Sequence, residues 1–402
     1  MARAAVFLYE SQCVFRSGTG YHAKLSHFLD FLGELAKRDG DYRMLVACAD
    51  TTAAQAGELV PLNLPAEVIE LPGGVINGNL GGPWISIGNA FRAARLVRQA
   101  VRTEKNAMVA GPISFLFWLS LIVPGQVRFV YFARGDIVET VRRTLAGKVV
   151  QYPALLVLKL FRWRLCRLLS GGRAKVFVYS GILEEYYSKY GAHNVYRIAP
   201  VIGESFLRLV PRPAIPEDGP LRVLYVGRLS EEKNVAALME ACKSARAKGR
   251  PFCLTIVGFG LLEQEIKRLI QTSDLSSYVH LAGYLPGGEP LIEQYDKHDL
   301  LCLPSFTEGT PAVVVEAFAR GLPVVATRVG DLPNLFPGLI RFIDGFEAPH
   351  IEAAIAWCDA NRQILSQKGQ AGQKEIEAFL FSKNADRVDK ILKEELCAAE
   401  TA

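Results

Sequence analysis

Short runs that are apolar throughout alternate along the chain with longer stretches in which apolar residues recur every three or four positions. From residue 221 the alternation is regular. "LRVLYVG" precedes a helical stretch at 231–248, "FCLTIVG" one at 261–272 and "YVHLAGY" one at 289–297. "DLLCLPS", a helix over 311–320, "LPVVATRVG", "LIRFI" and a helix from about 347 continue it. Near-continuous apolar strands joined by helices predict a parallel sheet covered on both faces. The first half repeats the theme less cleanly, with "AAVFLY", "RMLVACA", "EVIELP", "NAMVAGP", "VRFVYFA", "KVFVYS" and "VYRIAP" as its strands. The expectation is an α/β protein of two Rossmann-like doubly wound domains, 1–210 and 221–380, facing a cleft. Proline-dense "PRPAIPEDGP" at 211–220 reads as their linker. Ligands in such sheets sit beyond the carboxyl ends of the strands.

A length of 402 residues exceeds what one hydrophobic core usually fills, which supports two domains. With 50% hydrophobic and 22% charged residues, the composition excludes a disordered chain. A formal net charge of +5 is too small to indicate a nucleic-acid partner. The eight cysteines form no CxxC and mostly lie in apolar runs, so they read as buried thiols of a reducing compartment. The apolar run in "MARAAVFLYESQC" is too short for a signal peptide, and "PISFLFWLSLIVPG" at 112–125 is shorter than a membrane span. A cytoplasmic location is expected.

Chemistry-bearing residues fall at the predicted strand ends. In "LPSFTEGTPAVVVEAFARG", Glu308, Gly309 and Thr310 follow a strand, Thr310 suits a helix N-cap and Pro311 the first helical position. The free N–H groups of that helix favour an anion or sugar hydroxyls. Glu316 lies in the middle of this helix among Val314, Val315, Ala317 and Phe318. A carboxylate in so apolar a helix needs a partner, and an i,i+4 surface pair with Arg320 is the plain alternative to a ligand. In "YVGRLSEEKN", Gly227, Arg228 and Lys233 follow the first strand of the second half. Two cations there suit a diphosphate whose charge grows as it leaves, or are merely solvated surface. Gly258 and Gly260 in "VGFG" let backbone approach a ligand, or serve a tight turn and close helix packing.

Taken in order, "GRLSEEKN", "VGFG", "LAGY", "LPSFTEGTPAVVVEAFARGLPVVAT" and "VGDLP" resemble the motifs of the family-4 glycosyltransferases, retaining enzymes of the two-domain GT-B fold. The likeness covers roughly 221–335, and five ordered motifs are more specific than any one of them. It implies that Glu308 with Gly309, Thr310 and Pro311 holds the donor sugar and phosphate, that Glu316 holds the ribose, and that Arg228 and Lys233 stabilise the leaving diphosphate. Gly227, Gly258, Gly260 and Tyr284 join the donor site, and Gly18 and Gly20 in "SGTGYHAKL" correspond to a glycine turn ahead of a long helix under the diphosphate. Where many members carry a histidine near the donor sugar, "YFARGDIVE" offers Arg134 and Asp136; with His22 these are the acceptor-side candidates. Gly330-Asp331 and Asn334 also depart from the family pattern. The C-terminal stretch 381–402 resembles the last helix of the family, which packs back on the first domain. No metal and no cofactor is expected; helix dipole, Arg228 and Lys233 supply the electrostatics.

The implied activity is retaining transfer of a sugar from a nucleotide diphosphate sugar to a glycan or lipid-linked acceptor, probed against two rivals: a sugar-nucleotide epimerase and a non-catalytic binding module. Outside the motifs, no acidic residue occurs between Glu139 and Glu184, while Arg142, Arg143, Lys148, Lys159, Arg162, Arg164, Arg167, Arg173 and Lys175 do. Residues 155–169 project Val157, Phe161, Leu165 and Leu168 to one side of a helix and four cations, with Trp163 among them, to the other. The stretch 142–175 is either a core-packed helix with a solvated basic face or a peripheral contact with anionic membrane.

Overall fold

The computed structural model describes residues 6–17, 20–23, 31, 35, 43–50, 60–62, 67–71, 92, 95–97, 99, 107–110, 128–133, 138, 142, 151–198 and 202–398. The chain forms two compact units, Met1–Ala199 with Phe381–Ala402, and Pro200–Leu380.

In the first unit the strands are β1 (Val6–Ser17), β2 (Gly20–Ala23), β3 (Arg43–Asp50), β4 (Val60–Pro61), β5 (Glu67–Leu71), β6 (Ala107–Ala110), β7 (Arg128–Ala133), β8 (Ala174–Val178) and β9 (Val195–Arg197). β3 lies between β1 and β5, and β1 runs on through β6, β7 and β8 to β9, all in parallel. The apolar runs named from the sequence supply β1, β3 and β5 to β9, whereas the short β2 and β4 come from none of them. One element differs from expectation. β1 continues to Ser17 and turns back as β2, pairing Phe15 with His22 and Ser17 with Gly20. The glycine turn therefore closes an antiparallel hairpin instead of feeding a helix directly; Gly20 takes φ +126 there, open to an achiral residue.

Helix α1 (Gln151–Ser170) and helix α2 (Gly181–Gly191) flank β8. Phe161, Leu165 and Leu168 of α1 are buried, as their spacing predicts, and Leu169 is buried beside them. The opposite face is less basic than expected. Arg162 is half-buried and lies over the Tyr186 ring at 4.8 Å, and the solvent side carries Tyr152, Leu156, Leu160 and Trp163.

The second unit is a six-stranded sheet ordered β12-β11-β10-β13-β14-β15, all parallel: β10 (Arg222–Val226), β11 (Cys253–Val257), β12 (Val279–Gly283), β13 (Leu300–Leu303), β14 (Val324–Thr327) and β15 (Arg341–Ile343). Helices α3 (Val235–Ala247), α4 (Glu263–Thr272), α5 (Glu289–Lys297), α6 (Ala312–Ala319), α7 (Leu332–Leu335), α8 (Ala348–Ala360) and α9 (Arg362–Glu375) follow the strands. Val223, Leu238, Ile256, Leu300, Val325 and Ile355 belong to its core. The strand order reverses between β10 and β13, which makes their carboxyl ends the topological switch point of the sheet. Helix α10 (Phe381–Ala398) returns to the first unit, where Phe381 meets the Phe31 ring at 6.3 Å.

The expected linker is a correction. The unit boundary falls after Ala199, not at 210, and 211–220 is packed on the second unit. Buried Arg212 donates to the carbonyls of Tyr295, Asp296, His298 and Arg320, and the Ile215 amide donates to Ser366 Oγ at 3.0 Å. Proline density here fixes an extended path over the surface instead of marking a free tether.

Candidate functional site

The switch point assembles the residues singled out by spacing. After β10 the chain turns at Gly227, where a Cβ would lie 2.9 Å from Tyr225 Oη. That hydroxyl donates to the Arg228 carbonyl at 2.8 Å. Burial, then the Glu308 and Glu232 carboxylates, push the Tyr225 phenol far above its ordinary value, so it stays a donor. A short turn, Glu231–Lys233, leads to Asn234 at φ 55, a left-handed conformation that asparagine tolerates. The Asn234 amide donates to the carbonyls of Pro304 and Phe346 at 3.2 and 2.8 Å. It thereby clips the exits of β10, β13 and β15 together.

Lys233 meets Glu308 here: Nζ to Oε1 is 2.7 Å, with the two side chains 16% and 8% exposed. Ser305 Oγ donates to the same oxygen at 2.7 Å. Thr327 Oγ1 in turn donates to the Ser305 carbonyl at 2.5 Å, tying this loop to β14. Arg228 stands at the mouth of the same turn with its side chain 70% exposed, and its Nη2 is 3.1 Å from Glu232 Oε1. Burial works to raise the Glu232 carboxyl, but hydrogen bonds and Arg228 hold it below its ordinary range.

Helix α6 begins at Ala312, with Pro311 in the cap position and no side-chain cap. Thr310 is thus one residue too early to be the N-cap, since the proline keeps extended backbone at ψ 117 and defers the helix by one position. α6 follows the loop that carries Glu308, four residues before its first residue, and its first N–H groups have no partner within the helix itself. Glu316 is buried, and Tyr295 Oη on α5 donates to its Oε2 at 2.5 Å. Burial and this carboxylate raise the Tyr295 phenol well above its ordinary value. Arg320 instead grips Asp296, with Nη2 to Oδ2 at 2.6 Å and Nε to Oδ1 at 3.0 Å. Neither the surface pair with Arg320 nor a carboxylate left wholly to ligand hydroxyls describes Glu316; it has a buried protein partner.

The glycines of "VGFG" serve backbone packing. A Cβ on Gly258, at φ +144, would come within 1.8 Å of the Gly227 carbonyl oxygen, and one on Gly260 within 2.3 Å of that of Leu229. The exits of β10 and β11 lie directly on each other, joined by Leu229 N–H to Phe259 O at 2.9 Å. Tyr284, after β12, sets its ring edge-on to Phe259 at 5.4 Å. Gly330, noted from the sequence only as a departure, matters sterically. Its Cβ would strike the carbonyl oxygens of Gly309 and Glu308 at 2.4 and 2.5 Å, and the Asp331 amide donates to Gly309 O at 3.2 Å.

The sequence did not single out Ser305, Tyr295 or Asn234. Asn234 ends the quoted "GRLSEEKN", and an asparagine before an apolar helix is a turn signal; Ser305 stands three residues before Glu308. Tyr295 had no such cue, because its partner lies 21 residues on, in another helix. In the first unit, Gly20 lies in the hairpin and His22 is buried on β2, so His22 stands in the sheet and not on an open surface. Gly18, Arg134 and Asp136 lie outside the described residues; β7 ends at Ala133, just before Arg134. Among the described residues no group of three His, Cys, Asp or Glu could hold a metal ion. Among them, too, no helix is long and apolar enough to cross a membrane.

Residues 220–366 match the family "Glycosyl transferases group 1". The amylovoran biosynthesis glycosyltransferase AmsK of Erwinia amylovora is 38% identical over 141 residues, which is 33% of this chain and 33% of that protein. The alignment thus spans about a third of the length of that relative. In three dimensions the likeness is wider. Sucrose-phosphate synthase from Thermosynechococcus elongatus superposes with a TM-score of 0.68 at 18% identity, covering 98% of this chain and 100% of that one. Anabaena HepE, crystallised with UDP-glucose, gives 0.66 at 17% identity, covering 98% and 99%. The fold is that of the two-domain GT-B glycosyltransferases.

Proposed function

From the match of residues 220–366 to the glycosyl transferases group 1 family, we propose that this chain moves a sugar from a nucleotide diphosphate sugar to a glycan or lipid-linked acceptor. The acceptor belongs to cell-envelope or surface polysaccharide synthesis, and the enzyme works in the cytoplasm at the inner face of the membrane. The relative AmsK is named for amylovoran biosynthesis, and HepE was crystallised with UDP-glucose.

The observation that carries the reading is the Lys233–Glu308 pair at the switch point, beside the N-terminus of α6. In the reaction the bond from the sugar anomeric carbon to the diphosphate oxygen breaks, and the diphosphate leaves with the electron pair. A bond to the acceptor oxygen forms, and that hydroxyl surrenders its proton. Lys233 and Arg228 meet the charge that grows on the diphosphate, with the N–H groups of α6 adding to the field, so no metal ion is required. Glu308, held by Lys233 and Ser305, is oriented to accept donor-sugar hydroxyls. Glu316, anchored by Tyr295, holds the ribose with its remaining acceptor capacity. Tyr284 with Phe259, and Gly309 to Pro311, complete the donor side. Transfer proceeds with retention of the anomeric configuration.

Thermal-shift screening of nucleoside diphosphates identifies the base, since a selective binder raises Tm by mass action. NMR of the product formed from the matching sugar donor then reads its anomeric configuration. An inverted product would refute retention, and an altered free sugar nucleotide would indicate an epimerase.

A further inference from the structure

The exposed face of α1 is not explained by the donor site. Tyr152, Leu156, Leu160 and Trp163 are 76%, 61%, 55% and 56% exposed and follow one another at helical spacing. At about 100° per residue they form a single stripe roughly 100° wide or less. Lys159 and Arg167 share its exposed arc, with Arg167 over the Trp163 ring at 5.2 Å, and half-buried Arg164 borders it. The sequence from 140 to 183 holds no acid. The two carboxylates of helix α2 have cationic partners of their own, Glu184 with Arg197 of β9 at 3.7 Å and Glu185 with Lys189 at 3.4 Å. An apolar stripe bordered by cations, with a tryptophan among them, fits the boundary between acyl chains and anionic headgroups.

We infer that α1 is an interfacial membrane helix, inserting Tyr152, Leu156, Leu160 and Trp163 into an anionic lipid surface while Lys159, Arg164 and Arg167 engage its headgroups. This rests on the reading of the acceptor as lipid-linked for its purpose, but not for its measurement. Insertion differs from simple adsorption of a basic patch, because the apolar residues carry part of the affinity and that part resists salt.

The test is co-sedimentation of the full chain with phosphatidylglycerol-containing vesicles and with neutral phosphatidylcholine vesicles. The parent should favour the anionic ones at least about tenfold, each cation contributing about fivefold. A Leu156→Ser, Leu160→Ser, Trp163→Ser variant keeps the charge and should lose roughly tenfold or more even at low salt. A Lys159→Gln, Arg164→Gln, Arg167→Gln variant should lose the anionic preference. Should the apolar variant not fold, tryptophan quenching by brominated lipid supplies the readout: strong in the parent and reduced in Trp163→Phe. Parent-like binding by the apolar variant, equal or absent binding to both vesicles, or unchanged quenching in Trp163→Phe would overturn the inference. So would a parent dimer that the apolar variant dissociates, since a second copy would then cover the stripe. Nucleoside diphosphate binding by the same proteins reports the donor reading separately. Its loss with vesicle binding intact sinks only that reading, and the converse sinks only this inference.

Discussion

Lys233 and Glu308, 75 residues apart in sequence, are joined across the switch point of the second sheet by a 2.7 Å ion pair with little solvent access. Removing one member of a buried pair strands the other, at a cost of roughly 3–5 kcal/mol. Lys233→Ala should therefore lower Tm and, because its charge matters most as the diphosphate leaves, lower kcat on the order of 10²-fold while donor affinity changes less. Steady-state kinetics with a soluble acceptor checks this. Near-normal kcat would remove Lys233 from the mechanism.

Glu316 and Tyr295 separate binding from folding. Tyr295→Phe deletes one donor to a buried carboxylate and should cost about 1–3 kcal/mol of stability. Glu316→Gln keeps the shape and should weaken nucleotide binding by more than tenfold, on the order of the 1.5–3 kcal/mol of a hydrogen bond to a charged group. If the pair is only structural, both variants melt early and bind nucleotide normally. Calorimetric titration with melting curves on both proteins distinguishes the outcomes.

The glycine contacts predict a large steric effect. Gly258→Ala would set a methyl group 1.8 Å from the Gly227 carbonyl oxygen at a φ that side chains rarely adopt. Gly330→Ala would press on the loop carrying Glu308. Each should destabilise the second unit by roughly 2 kcal/mol or more. A Tm within a degree of the parent for Gly258→Ala would contradict the packing of the β10 and β11 exits.

His298 gives a pH dependence. Burial lowers its pKa below the ordinary value, even though the Gln294 carbonyl lies 2.6 Å from Nδ1. The unfolded chain thus binds this proton more readily than the folded one. The stability from keeping the ring neutral is complete above the unfolded value of about 6.5 and falls as pH drops through it toward the folded pKa. Tm measured from pH 7.5 to 5 should decline, and His298→Gln should flatten the decline. An identical slope in the variant would assign it to other groups.

The second unit was legible in the sequence because its strands are buried on both faces, so runs such as "LRVLYVG" and "DLLCLPS" stand out between amphipathic helices. The positions of Glu308, Lys233 and Arg228 at strand exits were legible for the same reason: each lies just past such a run. The β1–β2 hairpin was not, since a serine-glycine turn reads equally well as the entry to a helix. Burial of Arg212 was hidden because its partners are backbone carbonyls, which carry no sequence signature. The outward leucines of α1 were missed because periodicity marks which residues can be buried, not which remain exposed.

The most direct measurement of the central claim is calorimetric titration of UDP, GDP and ADP into the parent chain and into Lys233→Ala and Glu316→Gln. One diphosphate should bind the parent saturably, with a smaller binding enthalpy in Lys233→Ala and an affinity reduced more than about tenfold in Glu316→Gln. Failure of all three nucleotides to bind the parent, or equal affinity in the parent and Glu316→Gln, would contradict it.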